Sequence, residues 1–520
     1  MLHRDLTDAL ARDLAAASFT DEGVAALVGE AAHAALGRMV AEPARRASLQ
    51  QPGPLSTLLR AFWLGDPVAP EALAHALPSL GVAGAASLEI LEHRGAAVAP
   101  RVAIRPHAYG DDRGAGTWWI ASDLDELAGV WPLRPDHVLG VGGAARTLTA
   151  LLPHGRVASA LDLGTGCGVI ALHLRRIADR VVATDISPRA LWFTELTAAI
   201  NAVDGIEVRL GSLFEPVAGE RFDLIASNPP FVITPRAPHV PAYEYRDGGA
   251  AGDALMAAVV GGLAEHLQPG GQARLLGNWE TLDGRAGLDR VRGWASDPGL
   301  DVWAIERDAL DPVQYAELWL RDGGMVPRDD EHARLLDAWL DDFDARGVAA
   351  IGMGWLALRR PDDGTPHEHV GGAARPEPLR RFERIAQPVQ LAHVGAHLAS
   401  ALRLAEWVSG LDDAALEDAH LLTAADVTEA RHQLPGAAGP NVIELRQGGG
   451  LARTLSVDTA LAALVGACDG DLSVGQLIGA IAGLLEVDEP VLTADLLPRV
   501  RELLVTGFLL PADAALLTDP

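Results

Sequence analysis

The sequence predicts an α/β fold in which a mostly parallel sheet carries helices on both faces, flanked on each side by a further module. Three observations predict it. Short apolar runs alternate with amphipathic stretches from residue 133 to 361. Within them, Leu161-Asp-Leu-Gly-Thr-Gly-Cys-Gly168 reads as a strand that breaks into a glycine turn and opens a helix. An acid, Asp185, then ends the next apolar run, 23 residues after Asp162.

In chain order, residues 1–110 read as helices at 6–17, 20–40, 54–63 and 70–77, followed by two strand-like runs at 86–104. That order resembles a winged helix. The α/β part supplies strand-like runs at 157–163, 180–185, 206–210, 222–227, 272–278, 301–306 and 350–358. Between the first two, Ile170, Leu174 and Ile177 repeat at i, i+4 and i+7, the spacing of one helix face laid on a sheet. Ser187 before Pro188 is an N-cap pair that starts the second crossover helix. Residues 362–390 lack periodicity and hold Pro, Gly, Asp and His, as a linker or exposed loop does. Helices are expected over 391–432 and 458–508, with a β-hairpin between them where 441–446 and 451–457 flank Gly448-Gly-Gly450. The predicted units are therefore 1–110, 133–361, 362–440 and 441–520.

Length and composition narrow the function. A chain of 520 residues predicts three to four domains. With 49% hydrophobic and 22% charged residues and no apolar run of about 18 to 20, an integral membrane protein is excluded. Residues 1–8 mix both charge signs where a signal peptide would be apolar, and two cysteines, Cys167 and Cys468, cannot build a disulfide framework. A cytoplasmic location is expected. Lysine is absent, so 42 arginines face 70 acids, a net charge of -28 that opposes general adhesion to phosphate backbones. Residues 1–110 carry 11 acids against 9 arginines, a balance that favours scaffolding or substrate docking over DNA reading.

The glycine spacing separates two nucleotide classes. A dinucleotide turn beginning at Gly164 and Gly166 needs a small residue at 169, where Val169 stands; the third glycine is Gly168. Asp162, Gly164, Gly166 and Gly168 resemble instead the first motif of class I S-adenosylmethionine-dependent methyltransferases. The resemblance implies a Rossmann-like sheet of seven strands, six parallel and one antiparallel. It implies S-adenosylmethionine bound over Asp162, Gly164, Thr165, Gly166 and Gly168, with the ribose on Asp185 and with Ile186, Ser212, Leu213 and Asn228 around it. The acid before the glycines suits an ammonium. Ser212 departs from the superfamily, which often has an acid there for the adenine amino group.

Phe222-Asp-Leu-Ile-Ala-Ser-Asn-Pro-Pro-Phe231 is an apolar strand breaking into Asn-Pro-Pro-Phe. It resembles the fourth motif of methyltransferases that modify planar nitrogens, which implies catalytic roles for Asn228, Pro229, Pro230 and Phe231. Tyr245-Arg-Asp-Gly-Gly249 and Pro269-Gly-Gly271 downstream are similar to release-factor glutamine methyltransferases, and the likeness spans about residues 133–280. The expected acceptor is a protein or peptide side chain such as glutamine. A nucleobase of RNA or DNA is the alternative, and a non-catalytic module that has kept the fold is disfavoured by the intact tetrapeptide.

Other motifs have plainer readings. Gly140-Val-Gly-Gly-Ala-Ala145 fits Gly-x-Gly-x-x-Ala, yet no full strand precedes it and no acid follows at dinucleotide spacing; it resembles the segment that covers the cofactor mouth in related enzymes, and a plain helix start explains it equally. His393 and His397 stand at i, i+4, but Val394 replaces the glutamate of a metalloprotease helix, so no metal site is expected. Cys167 has no base beside it and reads as packing. Residues 455–461, 464–470 and 505–510 look like the small winged-helix peptide-recognition domains of the pyrroloquinoline quinone peptide-chaperone type, which implies peptide docking at a sheet edge; a packing module is the other reading. Residues 441–520 carry 11 acids and 4 arginines, a net of -7 that suits a basic peptide better than RNA. The whole chain also resembles multidomain actinobacterial methyltransferases.

Overall fold

The structure, a computed structural model, describes residues 3–130, 133–237, 240, 243–295, 299–325, 330–361 and 378–513. Its centre is a sheet of β1 (Val157–Leu163), β2 (Ala178–Asp185), β3 (Ile206–Leu210), β4 (Phe222–Ser227), β5 (Leu267–Leu282), β6 (Asp301–Leu310), β7 (Val348–Arg359) and β8 (Arg380–Arg384). The spatial order is β8-β6-β7-β5-β4-β1-β2-β3. Only β7 is antiparallel to its neighbours; all other pairs are parallel. The strands β1 and β4 are buried on both faces, which is why they read as continuous apolar runs, whereas β3 alternates at the edge.

The expected count of seven strands is corrected to eight. β8 is Arg-Arg-Phe-Glu-Arg, a charged segment inside the stretch read as linker, and its polarity is what an outermost strand carries against further pairing. Residues 362–377 of that linker lie outside the described residues.

Helices Val169–Ile177 and Pro188–Ile200 cover the sheet between β1, β2 and β3. The second is buried on nearly every side, because the hairpin Ala103–Asp111/Gly114–Ser122 packs on its outer face. There Asn201 exchanges two hydrogen bonds with the Trp119 backbone, both 2.9 Å, and the Ala121 N–H donates to Thr197 Oγ1 at 3.1 Å. The N-terminal module thus continues past residue 110 and shares one core with the sheet, from Leu10 and Phe62 to Leu174 and Phe193. The helix expected over 20–40 is two helices, Asp21–Val28 and Glu30–Leu36, broken at Gly29 with φ 83°. The helices Ala254–His266 and Gly287–Trp294 close a second core on the other face, around Val259, Leu263 and Val291.

The C-terminal module has its own core of Leu464, Ile478, Leu496, Val500 and Phe508. The hairpin expected there is present as Val442–Gln447 paired with Thr454–Val457. Residues 420–432, expected as helix, are two strands, His420–Thr423 and Val427–His432. Their partners lie far along the chain, Leu421 against Pro511 and Val427 against Gln447, so local pattern does not decide their state. The module docks on β6 and β8: Trp303 donates to Glu383 Oε1 at 2.7 Å, and Arg453 grips the same carboxylate. Among the described residues no helix is long and apolar enough to cross a membrane.

Candidate active site

The chain order of the parallel strands reverses between β1 and β4, and the crevice beyond their C-terminal ends is where an open α/β sheet binds ligands. The sequence motifs converge there. The glycine turn leaves β1, Asp185 ends β2, Ser212 and Leu213 follow β3, and Asn228 follows β4. Ser227 Oγ donates to the Leu163 carbonyl at 2.6 Å and ties the end of β4 to the end of β1, so Asn228 stands beside the turn.

Gly164, Gly166 and Gly168 take φ of 83°, 55° and 82°, conformations that side chains resist. Their surroundings differ. A Cβ on Gly168 would meet the Thr194 backbone at 3.0 Å, which makes it a packing glycine, whereas Gly164 and Gly166 face open space. The Gly164 and Thr165 N–H groups donate to the Thr184 carbonyl, both at 2.9 Å. Asp185 accepts from the Gly166 N–H at 3.0 Å and from the Ser187 N–H at 2.9 Å, which fixes its carboxylate at the lip of the turn. Burial raises Asp185 above the ordinary carboxylate range against those two bonds. Ser187 sits at the N-cap position, but its hydroxyl does not cap the helix.

Four buried polar atoms in this crevice have no hydrogen-bond partner: Asp162 Oδ2, Thr184 Oγ1, Ser187 Oγ and Asn228 Oδ1. Asp162 is 1% exposed. Its burial, countered in part by the Thr165 hydroxyl, pushes the carboxyl up to about 7. Buried polar atoms are almost always paired, and four orphans around one open glycine turn are what a polar ligand would complete. The arrangement fits an S-adenosyl group. Asp162 could take an ammonium and Asp185 vicinal hydroxyls, and Ile186, 63% exposed beside Asp185, could offer an apolar surface to a purine. Ser212 and Leu213 are half-buried next to it.

On the acceptor side, Pro229 is buried, and Phe231 forms a bridge with Asp247 while Val232 N–H donates to the Arg246 carbonyl at 2.9 Å. The segment Tyr245–Gly249 is thereby laid along Asn-Pro-Pro-Phe. Arg236 pairs with Asp247 at 3.1 Å, and the Phe231 ring meets Trp319 edge-on at 6.5 Å. Tyr315 Oη accepts from the Ile233 N–H at 3.1 Å and from Asn278 at 2.7 Å, holding the chain just past Phe231.

Several of these positions carry no sequence signal. Asp123 accepts from the Val138 N–H at 2.9 Å and from Arg189 Nε at 2.8 Å, clamping the segment before β1 onto the helix after β2. Its partners are 15 and 66 residues away, so no local spacing marks it. Thr184 and Ser187 were legible only as strand and cap. Gly140–Ala145 opens the helix Gly143–Leu151 with Gly142 at its N-cap. His393 is exposed and His397 half-buried on one helix, and burial raises the Cys167 thiol to about 11.

Comparison with known proteins agrees with this geometry. The family described as Methyltransferase small domain matches residues 140–281. Residues 16–101 match Domain of unknown function (DUF7059) and residues 399–511 match Domain of unknown function (DUF7782). The chain is 37% identical over 156 residues to a release factor glutamine methyltransferase of Xylella fastidiosa, covering 27% of this chain and 56% of that protein. It is 41% identical over 151 residues to a protein of the same name from Cereibacter sphaeroides, covering 26% and 53%. It is 30% identical over 169 residues to a ribosomal RNA small subunit methyltransferase C of Salmonella newport, covering 31% and 43%. The chain spans about half the length of the curated relatives it matches. It carries an S-adenosylmethionine-dependent methyltransferase domain of Rossmann-like fold.

Proposed function

We propose that this chain is an N-methyltransferase acting in the cytoplasm on a planar nitrogen of a protein or peptide acceptor, with a glutamine side chain as the type. The observation that carries this reading is the orphaned Asn228 Oδ1, a buried acceptor atom beside an open glycine turn.

An amide nitrogen is a poor nucleophile because its lone pair is delocalised into the carbonyl. S-adenosylmethionine, when bound, supplies an electrophilic methyl on a sulfonium. Asn228 Oδ1 and the Pro229 carbonyl are the groups that would accept the two amide N–H bonds and turn the nitrogen toward that methyl. The Phe231 ring packs on the planar group, and Trp319 and Tyr315 hold the ring and the chain behind it. Asp162 and Asp185 are the groups that would hold the methyl donor. No strong base is needed, because the amide becomes acidic only as the methyl arrives.

A nucleobase acceptor is the second reading, favoured by the likeness to a ribosomal RNA methyltransferase. It requires an extruded base and a basic channel. The arginines on the framing elements are committed elsewhere: Arg189 to Asp123, Arg236 to Asp247, and Arg246 to the Trp319 carbonyl. The C-terminal module, net -7, serves in the protein reading as an acidic docking surface for a basic peptide.

The test is mass spectrometry of products from cell extract incubated with labelled donor, comparing wild type with Asn228→Ala. Label on a side-chain amide, turnover reduced about a hundredfold by Asn228→Ala, and a cofactor affinity within a few-fold of wild type support the mechanism. Methyl on oxygen or carbon, or full turnover in Asn228→Ala, refutes it.

A further inference from the structure

The strands β6 and β7 pair antiparallel up to Leu310 against Ile351, a junction that about two to five residues would close as a plain hairpin. The chain instead runs out through two helices, Pro312–Asp322 and Asp330–Arg346, before it returns. Asp311 starts the first of them in a capping box with Gln314, and Pro312 stands in its first turn, so the direction of the helix is set at the end of β6. Tyr315 follows one turn in and is fully buried. With Ala316 and Leu320 it joins Trp339 and Phe343 of the second helix in a core that also takes in Val232 and Ile233, the two residues after Phe231.

Within that core, Tyr315 Oη accepts from the Ile233 N–H at 3.1 Å and from Asn278 Nδ2 at 2.7 Å. Asn278 lies in β5 and is 1% exposed, so the phenol oxygen ties the chain past Asn-Pro-Pro-Phe to the sheet. The neighbouring bond, from the Val232 N–H to the Arg246 carbonyl, ends on a loop instead. The near end of the motif is anchored where Ser227 Oγ meets the Leu163 carbonyl at 2.6 Å. Between the two anchors stand Pro229 and Pro230, whose rings fix φ, so the span from Asn228 to Val232 has few torsions of its own. Releasing Ile233 therefore shifts Phe231 and the Pro229 carbonyl together, and a displacement of about 1 Å at a reacting centre costs up to a hundredfold in rate.

We propose that Tyr315 is a positioning residue for methyl transfer, its hydroxyl holding Ile233 so that Phe231 and the Pro229 carbonyl keep the orientation the acceptor needs. The inference rests on the reading of Asn-Pro-Pro-Phe as the acceptor site. Tyr315 acts from behind that motif, through the chain it holds.

The experiment incubates the full chain with methyl-labelled S-adenosylmethionine and a dilution series of cell extract, which separates the maximal rate per folded molecule from the half-saturating amount of extract. Tyr315→Phe keeps the ring and removes the acceptor oxygen; its maximal rate should fall at least tenfold, with half-saturation and calorimetric cofactor affinity within about twofold of wild type. Asn278→Ala leaves the Ile233 bond in place and should cost only two- to threefold, and the double variant should be no slower than Tyr315→Phe, because both act through one oxygen. Leu335→Ala, in the same core, should lower the melting temperature and keep the rate per folded molecule. A wild-type maximal rate in Tyr315→Phe, or an equal loss of rate in Leu335→Ala, overturns the positioning role. Should Tyr315→Phe not fold, Asn278→Ala decides, and an unchanged rate there overturns the role as well. Methyl found on oxygen or carbon refutes the planar-nitrogen reading while the same rates still decide Tyr315; an extract in which the wild type labels nothing overturns both.

Discussion

Replacing Asp162 with asparagine separates the cost of burying that carboxylate from its use. Folding raises the group from 3.8 to about 7, chiefly by burial. At 1.36 kcal/mol per pKa unit, holding it ionised above pH 7 costs the ligand-free fold on the order of 4 kcal/mol. The sign follows from linkage: between about pH 4 and 7 the native state keeps a proton that the unfolded chain has released, so stability falls as pH rises through that interval. Asp162→Asn abolishes this titration. Its amide nitrogen, placed where Oδ2 has no partner, becomes a buried unpaired donor at roughly 1–3 kcal/mol. The net expectation for the ligand-free protein is a gain of about 1–3 kcal/mol at pH 8 and none at pH 5, where the native carboxyl is already neutral. The same variant should bind S-adenosylmethionine about ten- to a hundredfold more weakly at pH 8, the loss of one charge-assisted hydrogen bond. Urea titrations at both pH values with calorimetry at pH 8 check this. A variant less stable than wild type at pH 8, or one with unchanged cofactor affinity, would refute the picture of a strained carboxylate kept for a cation.

Two further outcomes follow from the same geometry. Asp185→Ala removes the carboxylate that receives the Gly166 and Ser187 N–H groups, and calorimetry should show S-adenosylmethionine affinity down tenfold or more; unchanged affinity would place the ribose elsewhere. At the junction of the N-terminal hairpin with the helix after the glycine turn, His107 and His173 meet at 3.3 Å, and burial lowers His173 to about 3. The unfolded chain takes up a proton below about pH 6.5 that the native ring refuses, so stability is lost as pH falls, and His173→Phe should raise the melting temperature more at pH 5 than at pH 8.

What was legible in the sequence was whatever a short window dictates. The strand, glycine turn and acid around Asp162, Gly166 and Asp185 are set by backbone conformation within a few residues, and the structure brings them together at one sheet end. Asn-Pro-Pro-Phe was legible for the same reason. What escaped depends on distant partners. β8 is too polar to read as a strand and exists because the β6 edge accepts it. Asp123 matters only once Arg189 and Val138 have been folded against it.

Charge offers a last discrimination between acceptors, because three arginines near the site are paired with carboxylates and further acids stand close by. Arg105 holds Asp125, Arg189 holds Asp123 and Arg236 holds Asp247. Glu126 is raised first by its burial and then by Asp322 and Asp125 close by, and Glu244 bears on Asp185, so acidic groups gather beside the acceptor segment and the glycine turn. With a net charge of -28 behind it, that entrance attracts cations over the Debye length, which shrinks to about 8 Å at physiological salt. A glutamine peptide flanked by arginines should therefore outpace the same peptide flanked by glutamates by about tenfold in kcat/KM at low salt, the gap closing toward unity near half-molar salt. The difference should lie in the association rate, since steering acts before contact. Equal rates for the two peptides at low salt would mean that the acidic mouth does not select the acceptor. A preference for an RNA oligonucleotide over both would mean that the committed arginines release their carboxylates to bind phosphate.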